Sequence, residues 1–238
     1  MSIINIAVYS LFKGINMAIV IFGGQKGGSG KSTHAANNAV WRMKAGRDVL
    51  VVDVDPQGSA NDFAVQRENY GKEEGLAPLQ PPLNCITLTG NSIAKRLLDL
   101  KPRYDDIIVD CAGSNSVELR VAMTVADKLV TPCRPARFDT ATMASMSQTI
   151  ADTRIVNAKL QAIAFLNAVS TNPNSKREDR VREFILEYCP EYQLLEPMVP
   201  QRVAYFDVAE FGMSLDELPA LDNKAIAEAE AIYKEIWA

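Results

Sequence analysis

The apolar run Ala18–Phe22 (AIVIF) passes directly into GGQKGGSGKST, residues Gly23 to Thr33, and from there into a stretch with helical spacing. A short strand that is apolar at every position has to be covered on both faces, which is the condition of a strand inside a parallel sheet. A glycine turn followed at once by a helix then fixes the first half of a β–α crossover. The pattern repeats along the chain. Asp48–Val54 (DVLVVDV), Asn84–Leu88, Asp106–Asp110, Lys128–Pro132, Ala162–Val169 and Gln193–Val199 read as further strands. Helices are expected near 31–45, 91–100, 115–126, 139–157, 175–188 and 222–237. In the last, Ala225, Ile226, Ala229, Ile232, Tyr233, Ile236 and Trp237 recur at a helical period, so one face should pack on the sheet. The expectation is an α/β fold with a doubly wound, mainly parallel sheet flanked by helices.

At 238 residues the chain suits a single domain. That domain is expected over 17–238, with residues 1–16 as an extension that is native, an extra strand or the product of an upstream start. Gly71–Leu83 (GKEEGLAPLQPPL) reads as a surface excursion rather than a linker. A net charge of −4 offers no global attraction to nucleic acid, so DNA binding would have to come from a local patch. No apolar run approaches the ~18 residues of a membrane span. The first sixteen residues lack the basic start of a signal peptide, so a cytoplasmic location is expected. Cys85, Cys111, Cys133 and Cys189 are widely spaced with no C-x-x-C pair, which argues against a zinc knuckle or a disulfide framework.

Chemistry concentrates at the glycine loop. Backbone N–H groups at the start of a helix point at an anion, and the helix dipole favours a phosphate there. Gly27, Gly28 and Gly30 let the chain wrap that anion closely. Ser29, Ser32 and Thr33 complete the wall with Lys31, which reaches the terminal phosphates of ATP, while the Ser32 hydroxyl suits Mg2+. Two acidic stations follow. Val51–Gln57 (VVDVDPQ) ends a strand with Asp53 and Asp55, on the side where open α/β sheets bind ligands. Both carboxylates also suit a strand-end and turn cap beside Pro56 and Gly58. Ile107–Gly113 (IIVDCAG) fits a Walker B strand, with Asp110 holding magnesium.

The general phosphate loop, G-x-x-x-x-G-K-[ST], would place glycine at position 25, where this chain has Gln25 followed by Lys26. The K-G-G-x-G-K-[ST] form resembles the deviant Walker A loop of the ParA/MinD family of ATPases. VVDVDPQ is similar to that family's D-x-D-P-Q segment. KLVTPCRP, Lys128–Pro135, is similar to the strand end of the short plasmid-partition ParA proteins, those without an N-terminal helix-turn-helix domain. The resemblance implies that Lys26 acts in trans, across a face-to-face ATP-dependent homodimer, on the other subunit's phosphates. It implies Asp55 as the residue that orients the attacking water and Asp53 as part of the surroundings of magnesium. The late segment Val199–Val208 matches the family imperfectly and points to Asn167 and Pro200 as neighbours of the adenine.

The same resemblance implies an ATPase that positions DNA. Its dimer would bind DNA without sequence preference, associate with the nucleoid when ATP-bound, and meet a ParB-like centromere-binding protein that stimulates hydrolysis. Lys176, Arg177, Arg180 and Arg182 lie within about two helical turns, and Arg202 falls in the late segment, where the family has DNA-contacting cations. Glu178, Asp179 and Glu183 are interleaved, so a solvated face with internal ion pairs fits that helix as well. Other members of the fold keep two alternatives open: positioning of a protein or membrane cargo, and a small-molecule ATP-dependent ligase. The tail sets Glu228, Glu230 and Glu235 against Lys224 and Lys234, which disfavours an anionic membrane, and no membrane partner is expected.

Overall fold

The computed structural model describes residues 17–70, 72, 76–113, 115–172 and 175–238. The extension expected at 1–16, and residues 71 and 73–75 of the expected surface excursion, lie outside these.

The strands are β1 (Ala18–Phe22), β2 (Val49–Asp53), β3 (Asn84–Thr87), β4 (Asp106–Asp110), β5 (Lys128–Cys133), β6 (Gln161–Val169), β7 (Tyr192–Leu194) and β8 (Val199–Pro200). They form one sheet in the order β3-β2-β4-β1-β5-β6-β7, with β8 pairing on β6. Every pairing is parallel. The helices are α1 (Lys31–Lys44), α2 (Ser59–Tyr70), α3 (Ile93–Leu100), α4 (Val117–Met123), α5 (Thr140–Arg154), α6 (Arg177–Tyr188), α7 (Ala204–Phe211) and α8 (Asn223–Trp237).

Continuous apolar strands are explained by two cores, one on each face. Ile19 and Ile21 of β1 join Val52, Ile107 and Val109 beneath α3 to α6. Val20 and Phe22 point the other way, joining Val51, Ile108 and Phe165 beneath α1, α2, α7 and α8. Each fully buried side chain of this size contributes about 1.5–3 kcal/mol relative to exposure. On α8 the buried residues are Ala225, Ala229, Ile232, Tyr233 and Ile236, the face its periodicity predicts.

Two helices escape the sequence pattern. In α2 only Ala60, Phe63 and Arg67 turn inward, a stripe too narrow and too polar to register as amphipathic. The eight-residue α7 buries only Ala204 and Val208. The expected strand Gln193–Val199 is two short strands instead, because Leu195 to Met198 bridge between pairing on either end of β6.

The inward Arg67 ties α2 to the segment after α7. Its guanidinium donates to Glu217 Oε2 and Oε1 at 2.7 and 2.9 Å, to the Pro81 carbonyl at 3.0 Å and to the Gly212 carbonyl at 3.2 Å. Burial opposes the Glu217 charge, but Arg67 and the Ser214 N–H outweigh it and hold the carboxyl down to about 2. Removing one partner of such a buried pair strands the other charge. Glu217→Gln should therefore cost about 3 kcal/mol in urea denaturation at neutral pH. Because the folded pKa lies below the ordinary value of 4.5, the stabilisation is present above pH 4.5 and is lost as pH falls toward 2. Glu217→Gln should flatten that acid limb.

Candidate nucleotide site

With every strand parallel, the loops after β1, β2, β4, β5 and β6 all emerge on one edge of the sheet. Register places Asp110 of β4 beside both Phe22 of β1 and Asp53 of β2, so the glycine loop and both acidic stations share that edge.

The loop ends at Gly30, whose φ of 101° is left-handed, and α1 starts at Lys31 with no side-chain cap and no acidic residue in its first turn. Its N-terminal N–H groups are thus left for an outside acceptor, as an anion site requires. The loop's carbonyls, by contrast, are tied back. Gly23 O accepts from Thr131 Oγ1 (2.9 Å), Lys26 O from Lys31 Nζ (2.8 Å), Gly28 O from Arg134 Nη1 (3.2 Å) and Ser29 O from Asn167 Nδ2 (2.7 Å). A peptide whose carbonyl is drawn away presents its N–H on the opposite side, which converts a flexible glycine stretch into an anion cradle. Gly113, after β4, packs so closely that a Cβ there would lie 2.6 Å from Gly27 Cα and N. Only glycine permits that approach.

The two lysines of the loop diverge. Lys31 is buried, and desolvation lowers its pKa against the attraction of Asp110 and Asp55. Lys26 is half-exposed, with its Nζ 3.4 Å from Asp139 Oδ2. Asp139 caps α5 through the Thr142 N–H at 3.1 Å, so its position is fixed independently of the lysine. Between the loop, the end of β5 and the start of α5 lies a cleft open to solvent, lined by Phe138, Met143 and Met146 together with Lys26, Arg134 and Asp139.

The three carboxylates have different surroundings. Asp53 is fully buried, with Oδ1 accepting from the Asp55 N–H and Oδ2 from the Asn61 N–H, both at 2.9 Å. It braces the turn that presents Asp55, as the capping reading of this segment anticipates. Asp55 is partly exposed. Its Oδ1 accepts from the Gln57 N–H at 2.9 Å, and its other oxygen has no hydrogen-bond partner among the described residues. Asp110 is fully buried, and neither oxygen has a partner of regular geometry among the described residues. Burial pushes its carboxyl up to about 7, with the nearby Ser32 hydroxyl opposing the rise. A buried carboxylate without a donor, beside a hydroxyl and a phosphate cradle, fits a divalent cation such as magnesium, which would be held by Ser32 and Asp110. Cys111 and Cys133 lie buried nearby, and burial pushes the Cys133 thiol up to about 12, the condition of packing thiols rather than reactive ones.

Asn167 and Pro200 meet at the β6–β8 pairing, where Asn167 opposes Val199 and Val169 opposes Pro200 across a register shift. The Asn167 carboxamide is committed to the loop and to His34, which sequence reasoning left without a role. Lys176, Arg177 and Arg180 are exposed at the start of α6, on the same edge as the loop, and form no ion pair among the described residues. Arg182 instead donates to the Leu195 carbonyl at 3.1 Å and pairs with Glu196, and Arg202 requires the same correction. Its guanidinium is clamped by Glu228 at 2.7 and 2.6 Å and by Asp222 at 3.4 Å, so it braces α8 and is not free for a phosphate.

Because the folded pKa of Asp110 lies above its ordinary value, metal-free protein loses stability as pH rises from about 4 to about 7. Asp110→Asn should raise the melting temperature of nucleotide-free, metal-free protein at pH 8 by about 2–4 °C per kcal/mol recovered. It should also weaken magnesium-dependent nucleotide binding, read by titration with and without chelator.

Comparison with known proteins agrees with this geometry. Residues 20–215 match the CobQ/CobB/MinD/ParA nucleotide-binding domain family. The Protein ParA of Rhizobium radiobacter is 27% identical over 226 residues, covering 93% of this chain and 96% of that protein. Among solved structures, apo McdA of Cyanothece superposes with a TM-score of 0.71 at 17% identity, covering 94% of this chain and all of that one. Cobyrinic acid a,c-diamide synthase of Mycobacterium smegmatis, bound to an ATP analogue and magnesium, superposes at 0.68 with 20% identity, covering 93% and 94%. With its K-G-G-S-G-K-S loop, its parallel sheet and a family match over most of its length, the chain belongs to the ParA/MinD family of nucleotide-binding P-loop proteins.

Proposed function

We propose that this protein is a DNA-positioning ATPase in which ATP closes a face-to-face homodimer and hydrolysis opens it. The observation that carries the reading is the divergence of the loop's two lysines. Lys31 faces the cradle from within, whereas Lys26 stands at the surface, held among the described residues by an exposed contact to Asp139. A lysine placed there serves its own phosphates poorly and a second subunit's phosphates well.

Phosphoryl transfer is catalysed by positioning and by neutralising charge on the terminal phosphate. The Gly27–Thr33 backbone donors and Lys31 hold the β- and γ-phosphates, and the partner copy's counterpart of Lys26 adds a second cation from outside. Magnesium, when bound by Ser32 and Asp110, supplies further positive charge at the phosphate oxygens. Asp55, braced by Asp53, has one oxygen left to orient the attacking water. An isolated subunit lacks one cation and hydrolyses slowly. Lys176, Arg177 and Arg180 provide salt-dependent contacts to DNA phosphates without reading sequence, placing the ATP-bound form on the nucleoid. A ParB-like centromere-binding protein would then stimulate the hydrolysis that releases it. No described helix is long and apolar enough to cross a membrane.

A second reading is favoured by the cleft beside the loop, whose apolar lining and two cations, Lys26 and Arg134 with Asp139 beside Lys26, suit a small carboxylate substrate. Cobyrinic acid a,c-diamide synthase shares the fold. In that reading the terminal phosphate activates the substrate, and turnover needs no dimer.

Light scattering distinguishes the two. Wild type should be monomeric with ADP and dimeric with a non-hydrolysable ATP analogue, and Lys26→Ala should lose the dimer or its hydrolysis. A wild type that stays monomeric with saturating analogue overturns the positioning reading. Given the dimer, removing Arg177 and Arg180 together should weaken binding to random-sequence duplexes and lower the salt slope by about 1 for each DNA phosphate no longer neutralised.

A further inference from the structure

The loop's carbonyl at Ser29 is the end of a buried polar chain that crosses the domain. Asn167 Nδ2 donates to Ser29 O at 2.7 Å, Asn167 Oδ1 meets His34 Nε2 at 3.0 Å, and His34 Nδ1 meets the Tyr233 hydroxyl at 3.3 Å. All three side chains are buried, Asn167 at 7%, His34 at 1% and Tyr233 at 2% exposure. The direction of donation is forced. A carbonyl only accepts, so the amide nitrogen of Asn167 must face Ser29 and its oxygen must face His34. His34 therefore carries its proton on Nε2, leaving Nδ1 to accept from Tyr233.

The remaining geometry shows how closely this chain is fitted to the loop. A Cβ at Gly30 would lie 2.3 Å from Asn167 Nδ2, so the amide is pressed against the residue immediately before Lys31. Asn167 reaches that position at the β6–β8 irregularity, where Ala168 takes a left-handed φ of 51°, a conformation that non-glycine residues rarely adopt. The His34 ring is set edge-on against Phe165 at 5.0 Å, which fixes its plane. Burial keeps it neutral, pushing its pKa down to about 4.

We propose that Asn167 and His34 are positioning residues of the nucleotide site, a relay anchored on Tyr233 of α8 that turns the Ser29 carbonyl away so that the N–H of the same peptide, that of Gly30, faces the phosphates. This gives Asn167 a role other than bordering the base. The inference rests on nucleotide binding by this loop and on neither dimerisation nor DNA.

The test is the dissociation constant of magnesium ATP and ADP, from fluorescent-nucleotide titration, together with the melting temperature without nucleotide. Asn167→Asp is isosteric and retains the His34 contact, but it replaces the donor to Ser29 O with a second acceptor. It should weaken binding about tenfold or more, the effect of losing one buried hydrogen bond and facing two acceptors together. His34→Leu should weaken binding similarly. His34→Gln, whose amide N–H stands in for the ring Nε2–H, should recover most of it, and Tyr233→Phe should lose less than His34→Leu. Binding within about twofold of wild type in both Asn167→Asp and His34→Leu, whatever happens to the melting temperature, would show a packing role only and overturn the proposal. So would His34→Gln binding as weakly as His34→Leu. Wild type that fails to bind nucleotide at all would instead sink the functional reading.

Discussion

A lysine ammonium and an aspartate carboxylate are buried together at the C-terminal edge of the sheet, and the carboxylate has no partner of regular geometry among the described residues. Lys31 donates to its own loop at Lys26 O, and Asp110 accepts from no group of regular geometry among the described residues. Both carry a desolvation penalty that hydrophobic side chains of similar volume would avoid. The strands behind them, β1, β2 and β4, are fully buried, and the favourable packing there offsets the penalty. The arrangement makes sense as half of an interaction whose other half is an anionic, cation-bearing ligand. Binding of such a ligand would relieve the penalty on both groups at once.

That unsatisfied edge works only if the loop keeps one geometry, and the fold supplies this from several directions. Thr131 and Arg134 come from the end of β5, Asn167 from β6, and Gly113 from the turn after β4. Each touches a different peptide of the loop. A glycine-rich segment has the largest backbone entropy to lose, and distributing the anchors places most of that loss in folding rather than in ligand binding. The cost is sensitivity, since a disturbance in α8 reaches the loop through Tyr233, His34 and Asn167.

The parallel sheet, its doubly wound helices and the loop with its three aspartates were legible because each is a local pattern: apolar runs, glycine spacing, an acid at a strand end. The burial of α8 followed from period alone. What stayed hidden depends on contacts between distant positions. His34 and Tyr233 are 199 residues apart, and nothing in KSTHAAN marks the histidine as a link between them. Arg202 looked like a free cation because Glu228 and Asp222 are 20 residues or more away in sequence. Arg67 hid α2 for a related reason: a charged residue facing inward reads as polar until its partner Glu217 is brought beside it.

The contact between Lys26 and Asp139 bears on how such a site switches. An exposed pair at 3.4 Å is screened by salt and contributes little, so it does not lock the lysine. Its effect is rather one of placement. Asp139 is fixed by its cap on α5, and its contact places the Lys26 ammonium at the wall of the cleft. In the proposed dimer, a phosphate from the second copy would offer more charge in drier surroundings, where charge-assisted contacts are stronger. Exchange of Asp139 for that phosphate is then downhill only when a nucleotide with a terminal phosphate sits opposite. A weak resting contact therefore suits a switch better than a strong one, because the discrimination between ATP and ADP is carried by the incoming charge and not by the bond that must be broken.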